Sequence, residues 1–144
     1  MSKPIGPYTP LVRAGGFLVV SGQIGLADGE LVHGGLDAEL PQALANLSGL
    51  LEAEGASLDD VVKTTVFLTN IGDYARMNDL YCEAFGDHRP ARSAVAVVAL
   101  PIGSCVEVEA WAVADCPSYQ LAPSRCPPGA RPDGKLHPWA VPWS

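Results

Sequence analysis

The spacing of apolar residues is the feature that most constrains this chain. Its first 114 positions carry only two segments of helical period, set among short runs of strand character. The first segment runs from Asp37 to Glu54. There Leu40, Leu44, Leu47 and Leu51 recur at three and four residues, with Ala43 and Leu50 beside them. Pro41 is expected in the first turn, where a missing N–H costs least, and Gly55 supplies the stop. The second segment starts at Asp73, read as an N-cap, and carries Tyr74, Met77, Tyr81, Ala84 and Phe85 on one stripe before Gly86 ends it. Strand character falls at Leu11 to Arg13, turned by Gly15-Gly16, and at Phe17 to Ser21, stopped by Gly22. A short paired strand is expected at Glu30 to Val32 after the Asp28-Gly29 turn, and the β-branched run Val61 to Leu68 reads as another strand. Arg92 to Ala99 and Cys105 to Ala114 complete the set, joined by a turn around Pro101 and Gly103. The order is β-β-(β)-α-β-α-β-β. Two helices cannot cover both faces of such a sheet, so they are expected together on one face, an α+β architecture with a mixed sheet. The other face keeps valines and alanines and needs cover, for which self-association is the simplest answer.

A chain of 144 residues holds one domain with a real core and is too short for two ordinary ones. Composition changes near Asp115: the stretch from Cys116 to Ser144 holds seven of the 13 prolines and few aliphatic residues. The division is therefore a domain over 1–114 and a Pro-rich tail over 115–144, lying on the surface or extended in water. Trp139 and Trp143 either anchor that tail in a groove or belong to a disordered end. Lys and Arg number 9 against 16 Asp and Glu, a net charge of −7 with no local basic cluster, which disfavours nucleic acid as a partner. No apolar run approaches a membrane span, and Met1 to Pro7 has no apolar signal core, so the expectation is a cytoplasmic protein without a membrane partner. The four cysteines form no C-x-x-C pair and the three histidines lie far apart, so free thiols and no metal site are expected.

Several residues carry possible chemistry. Arg92 opens a strand directly after Pro90-Ala91, either as a solvated strand-end residue or as a buried cation able to grip a carboxylate through two parallel N–H bonds. Glu107 and Glu109 lie two apart, so both share a face with Cys105 and Trp111. They form either the wet side of an edge strand or a carboxylate pair whose burial would raise a pKa and suit proton transfer. Asn78 falls within the stripe of Tyr74, Tyr81 and Phe85, where a buried amide needs a partner: a nearby loop or a ligand. Tyr8 sits in the stiff Gly6-Pro7-Tyr8-Thr9-Pro10 run, and Ser21-Gly22 ends a strand. By themselves these are ordinary turn residues. No nucleophile elbow, phosphate loop, dinucleotide fingerprint or zinc signature is present in the sequence.

Six segments in order resemble the RidA family (YjgF-like, reactive intermediate deaminase): Pro4-Ile5-Gly6-Pro7-Tyr8, Val20-Ser21-Gly22-Gln23-Ile24, Asp60 to Leu68, Asn78-Asp79-Leu80-Tyr81, Arg89-Pro90-Ala91-Arg92-Ser93 and Val106-Glu107-Val108-Glu109-Ala110. The resemblance spans about Pro4 to Ala114. It implies a chorismate-mutase-like α+β fold and a homotrimer with clefts between subunits. It further implies cofactor-independent hydrolysis of 2-imino or enamino acids, of the 2-aminoacrylate/2-iminopropanoate type, to 2-keto acids and ammonia. By the same resemblance Arg92 holds the substrate carboxylate, Glu107 positions water, Tyr8, Ser21 and Asn78 line the cleft, and the Gly22 N–H is a further contact. The sequence departs from well-known members in having Ala94 where they carry a cysteine, and in its Pro-rich tail. Alternatives compatible with the resemblance are a cleft that binds a small carboxylate without turnover, a ribonuclease activity, and service to a dedicated biosynthetic pathway.

Overall fold

The structure, a computed structural model, describes residues 4–114. The expectations for 115–144, Trp139 and Trp143 included, lie outside the described residues. The chain builds β1 (Leu11–Ala14), β2 (Phe17–Gln23), β3 (Leu26–Ala27), β4 (Glu30–Leu31), α1 (Leu36–Ala53), β5 (Val61–Leu68), α2 (Tyr74–Phe85), β6 (Ala91–Ala96) and β7 (Val106–Val113). β3 and β4 form a small hairpin, and the other strands form one sheet in the order β1-β2-β7-β5-β6. All its pairings are antiparallel except that of β5 with β6, which α2 connects. The last strand in sequence is thus the central strand in space. β7 is not the edge strand that would leave Glu107 and Glu109 simply wet, because it is clasped between β2 and β5.

Both helices lie on one face, as the pattern requires. Leu40, Leu44, Leu47 and Leu51 of α1 and Met77, Tyr81 and Phe85 of α2 pack against Leu18, Val20, Val66, Leu68, Val106, Val108 and Ala110 of the sheet. Among the described residues nothing covers the opposite face: Phe17 and Trp111, in edge-to-face contact at 6.1 Å, are 43% and 47% exposed, beside exposed Val12 and Val95.

Several local expectations are corrected. Gly22 does not stop β2, which continues to Gln23 through a bulge: Val20 pairs with Ala110 and Gln23 with Val108. Pro41 lies in the second turn of α1 and not the first, so the exposed Asp37 carbonyl loses its helical donor. Asp73 makes no side-chain cap. Asn70 does the capping, its carboxamide oxygen accepting from the Gly72 N–H at 2.9 Å in the short 3-10 turn that leads into α2. The buried stripe of α2 includes Leu80 in place of Tyr74 and Ala84, which are exposed. β6 ends at Ala96 and β7 begins at Val106.

One buried carboxylate locks the entry to β7. Glu39 of α1 accepts from the Ser104 hydroxyl and from the Cys105 N–H, both at 2.8 Å. Burial, reinforced by Glu39 beside it, pushes the Cys105 thiol up to about 12, so it stays protonated. Glu39→Ala leaves the Cys105 N–H without its acceptor, while the Ser104 hydroxyl keeps the Val106 carbonyl at 2.8 Å. Chemical denaturation is expected to show a loss of about 2 kcal/mol in stability. A loss within the scatter of surface substitutions would mean that water replaces the carboxylate at no cost.

Candidate active site

Two clusters gather the residues singled out in the sequence. The first is built around Arg92. The parallel register sets Arg92 beside Thr64, which is buried on the helix-covered face, so the guanidinium runs beneath α2. Its Nη2 donates to Asn78 Oδ1 at 2.7 Å and to the Tyr74 hydroxyl at 3.3 Å, while Nη1 points at Met77 Sδ at 3.7 Å. The guanidinium carbon also lies 4.8 Å from the Tyr81 ring centre and 5.7 Å from that of Tyr74, within cation–π range. The Tyr81 hydroxyl is tied to Thr64 Oγ1 at 2.7 Å, and its ring stacks on Phe85 at 4.4 Å, so the floor of the cradle is rigid. Burial raises the Tyr81 phenol above its ordinary value against the opposing pull of the Thr64 bond and the Arg92 charge. The partners of Arg92 are all neutral. Among the described residues the ion pairs are Arg13 with Glu54 and Arg76 with Asp37, and no carboxylate reaches Arg92.

The second cluster lies on the uncovered face. Ser21 Oγ donates to the Thr9 carbonyl at 2.7 Å and the Ser21 N–H to the Pro10 carbonyl at 2.9 Å, which straps the N-terminal segment bearing Tyr8 over the end of β2. Tyr8 is half-exposed, and with Gly22 it borders a cavity of about 310 Å³ that reaches Asn46 of α1. The Glu107 carboxylate rests on Gly22: a Cβ there would stand 1.9 Å from Glu107 Oε1, so any side chain at 22 would push the carboxylate off this position. Glu107 has a raised pKa, first through burial and then through the charge of Glu109 on the same face.

The two clusters do not meet within one chain. Arg92 pairs with Thr64 and faces the helices, whereas Glu107 pairs with Phe67 and faces away from them. β5 separates their strands, adding two strand spacings, roughly 10 Å, to the difference of face. Asn78, assigned to the cleft by resemblance, stands beside Arg92 and binds it directly. Tyr8, Ser21 and Gly22 stand with Glu107. Sequence reasoning placed Tyr74 and Tyr81 in the core stripe and missed their part in the cradle. The available signal was an amide between two tyrosines on the helix of a β-α-β unit whose next strand opens with an arginine.

A sheet with both helices on one face, an arginine without a counter-ion among the described residues on that side and a carboxylate pair on the other, defines a small α+β protein with a divided polar site. Comparison with known proteins narrows this class. The family model described as Endoribonuclease L-PSP matches residues 1–114. A RutC family protein of Pyrococcus horikoshii is 46% identical over 112 residues, covering 76% of this chain and 89% of the relative. The 2-iminobutanoate/2-iminopropanoate deaminase of Mus musculus is 46% identical over 111 residues, covering 76% of this chain and 81% of the relative. The crystal structure of RidA from the Antarctic bacterium Psychrobacter sp. PAMC 21119 superposes with a TM-score of 0.74 at 37% identity, covering 77% of this chain and 91% of that one. The chain belongs to the RidA (YjgF/L-PSP) family, and its α+β fold is the family's.

The raised Glu107 pKa has a definite sign in stability. The folded state holds the Glu107 proton more tightly than the unfolded chain does. The associated stability is therefore full below the ordinary carboxylate value and is lost as pH rises through the raised one. Glu107→Gln, which mimics the protonated form, is expected to melt higher than the wild type at neutral pH, with the gap closing as pH falls through the carboxylate range. Parallel pH profiles for the two proteins would place Glu107 in an ordinary solvated setting.

Proposed function

We propose that this protein hydrolyses 2-imino and enamino acids of the 2-iminopropanoate type to 2-keto acids and ammonia, in clefts between the subunits of a homotrimer. The observation that carries this reading is Arg92, a half-buried guanidinium whose partners among the described residues are all neutral. A cation so placed attracts an anion, and a planar fork suits a carboxylate. The names of the deaminase relatives, at 44–46% identity for the human and mouse proteins, supply the substrate class.

The division of the site supports the assembly. Arg92 lies on an edge strand, Glu107 lies in the middle of an apolar, uncovered face, and one chain cannot bring them together. An edge of one copy set against the open face of the next would join them and bury Phe17, Val95 and Trp111. In such a cleft Arg92 clamps the substrate carboxylate, with Asn78 fixing the guanidinium. Glu107, with Tyr8, Ser21 and the Gly22 N–H around it, holds a water against the imine carbon. The water oxygen bonds to that carbon as one of the water's protons passes, by way of Glu107, to the imine nitrogen. The hydroxyl proton of the resulting carbinolamine is then transferred to its amino nitrogen, the C–N bond breaks, the C=O bond forms and ammonia leaves. Iminium compounds already react with water, so positioning and polarisation suffice, and no cofactor or covalent intermediate is invoked. The acidic balance, −7 overall, disfavours RNA as the substrate. Among the described residues no helix is long and apolar enough to cross a membrane, and a cytoplasmic setting suits imines released inside the cell.

A coupled assay tests the activity: an amino-acid oxidase generates the imine, and keto-acid release is timed with and without the protein. Wild type is expected to accelerate release, and Arg92→Ala to lower kcat/KM by well over tenfold, about what a lost bidentate charge-assisted contact removes. Arg92→Lys is expected to be poor as well, since an ammonium lacks the fork. Full activity in Arg92→Ala would remove the clamp.

Light scattering in dilute buffer is expected to give about three times the 15.1 kDa chain mass. A stable monomer would leave Arg92 and Glu107 on opposite faces and sink the shared cleft.

A further inference from the structure

We propose that Tyr74 is a ligand-binding residue whose hydroxyl guards one edge of the Arg92 guanidinium in the free protein and then donates to the carboxylate that takes that edge. The proposal rests on the reading of Arg92 as a carboxylate clamp and extends it to a residue outside that clamp.

A guanidinium offers two edges for a bidentate carboxylate: Nε–H with one hydrogen of Nη2, and one hydrogen of Nη1 with the other hydrogen of Nη2. Nη2 belongs to both edges. In this structure Nη2 donates both to Asn78 Oδ1 at 2.7 Å and to the Tyr74 hydroxyl at 3.3 Å. A carboxylate gripped by two parallel bonds therefore competes with these two acceptors for Nη2. The Asn78 bond is short, and its side chain is half-buried against the cradle. The Tyr74 bond is long, and Tyr74, the first residue of α2, is 41% exposed. Tyr74 is the one that yields.

The displaced phenol has a second role open to it. Toward Arg92 it acts as an acceptor, but it also carries a donor hydrogen. Its ring already lies 5.7 Å from the guanidinium carbon, so a carboxylate arriving on the vacated edge comes within reach of the O–H. The exchange replaces a long bond to a neutral acceptor with a donor bond to an anion, the stronger type. The bound acid is then held by both hydrogens of one guanidinium edge and by the phenol, while Asn78 keeps the guanidinium from rotating. A monocarboxylate with little bulk on that side, such as a short 2-keto acid, fits this arrangement.

The test is calorimetric titration of the full chain with pyruvate, for wild type and Tyr74→Phe, together with steady-state kinetics in the coupled assay. Tyr74→Phe keeps the ring over the guanidinium and removes only the hydroxyl. The expected result is pyruvate affinity about tenfold weaker, as for one lost charge-assisted bond. KM is expected to rise in step with little change in kcat, and the melting temperature to stay at the wild-type value. Equal or tighter pyruvate binding by Tyr74→Phe overturns the proposal, as does a lower kcat at unchanged KM. Wild type that binds pyruvate yet hydrolyses no imine overturns the deaminase reading alone. Wild type that binds no pyruvate overturns the clamp and the role of Tyr74 together.

Discussion

The structure depends on the insertion of β7 between β2 and β5. That central strand alternates strictly: Val106, Val108, Ala110 and Ala112 are buried under the helices, and Glu107, Glu109 and Trp111 point the other way. Its pairing with β2 brings Gly22 against Glu107, and its pairing with β5 fixes the strand from which α2 crosses over to β6. The buried Glu39 carboxylate ties α1 to the residues where β7 begins. A slip of one residue in β7 would bury two carboxylates in the core and expose its valines, so the register is held by a large penalty on either side.

The local elements were legible because they rest on local chemistry. The leucine spacing of α1, the β-branched run of β5 and the glycine after Phe85 each encode their element without reference to the rest of the chain. The one-sided placement of the helices followed from their number. What could not be read was order in space. Nothing near Val106 to Val113 says that this strand lies between β2 and β5, because the pairing partners stand roughly 45 and 90 residues away in sequence. The same blindness placed Gly22 at a strand end. Its role as the floor under Glu107 exists only once β2 and β7 are paired.

The site shows the same division. Arg92, Asn78 and the Glu107/Glu109 pair stood out from their surroundings as a cation beside an apolar strand, an amide on an aromatic stripe and two acids on one face, while the choice of Glu107 over Glu109 came from the family resemblance alone. The tyrosines did not stand out, since an aromatic at helical spacing belongs to the core far more often than to a site. Tyr81 in fact does both: its ring packs on Phe85 while its other side bounds the guanidinium, and its hydroxyl satisfies the buried Thr64. Cation–π contact and core packing use the same atoms, so periodicity alone cannot separate them.

The neutrality of the cradle is itself informative. A half-buried guanidinium is most simply stabilised by a carboxylate, and this chain carries 16 acidic residues. Asp79 and Glu83 sit on the very helix that covers Arg92, yet the contacts come from Tyr74, Met77, Asn78 and Tyr81. Neutral acceptors and ring faces orient the cation without cancelling its charge, whereas a resident carboxylate would have to be displaced by every ligand. The carboxylate pair on the far face is arranged in the complementary way, with Glu107 raised by burial and by Glu109 and no cation among the described residues paired with it. Among the described residues the chain thus presents a cation without a counter-ion at one sheet edge and an acid without one on the open face.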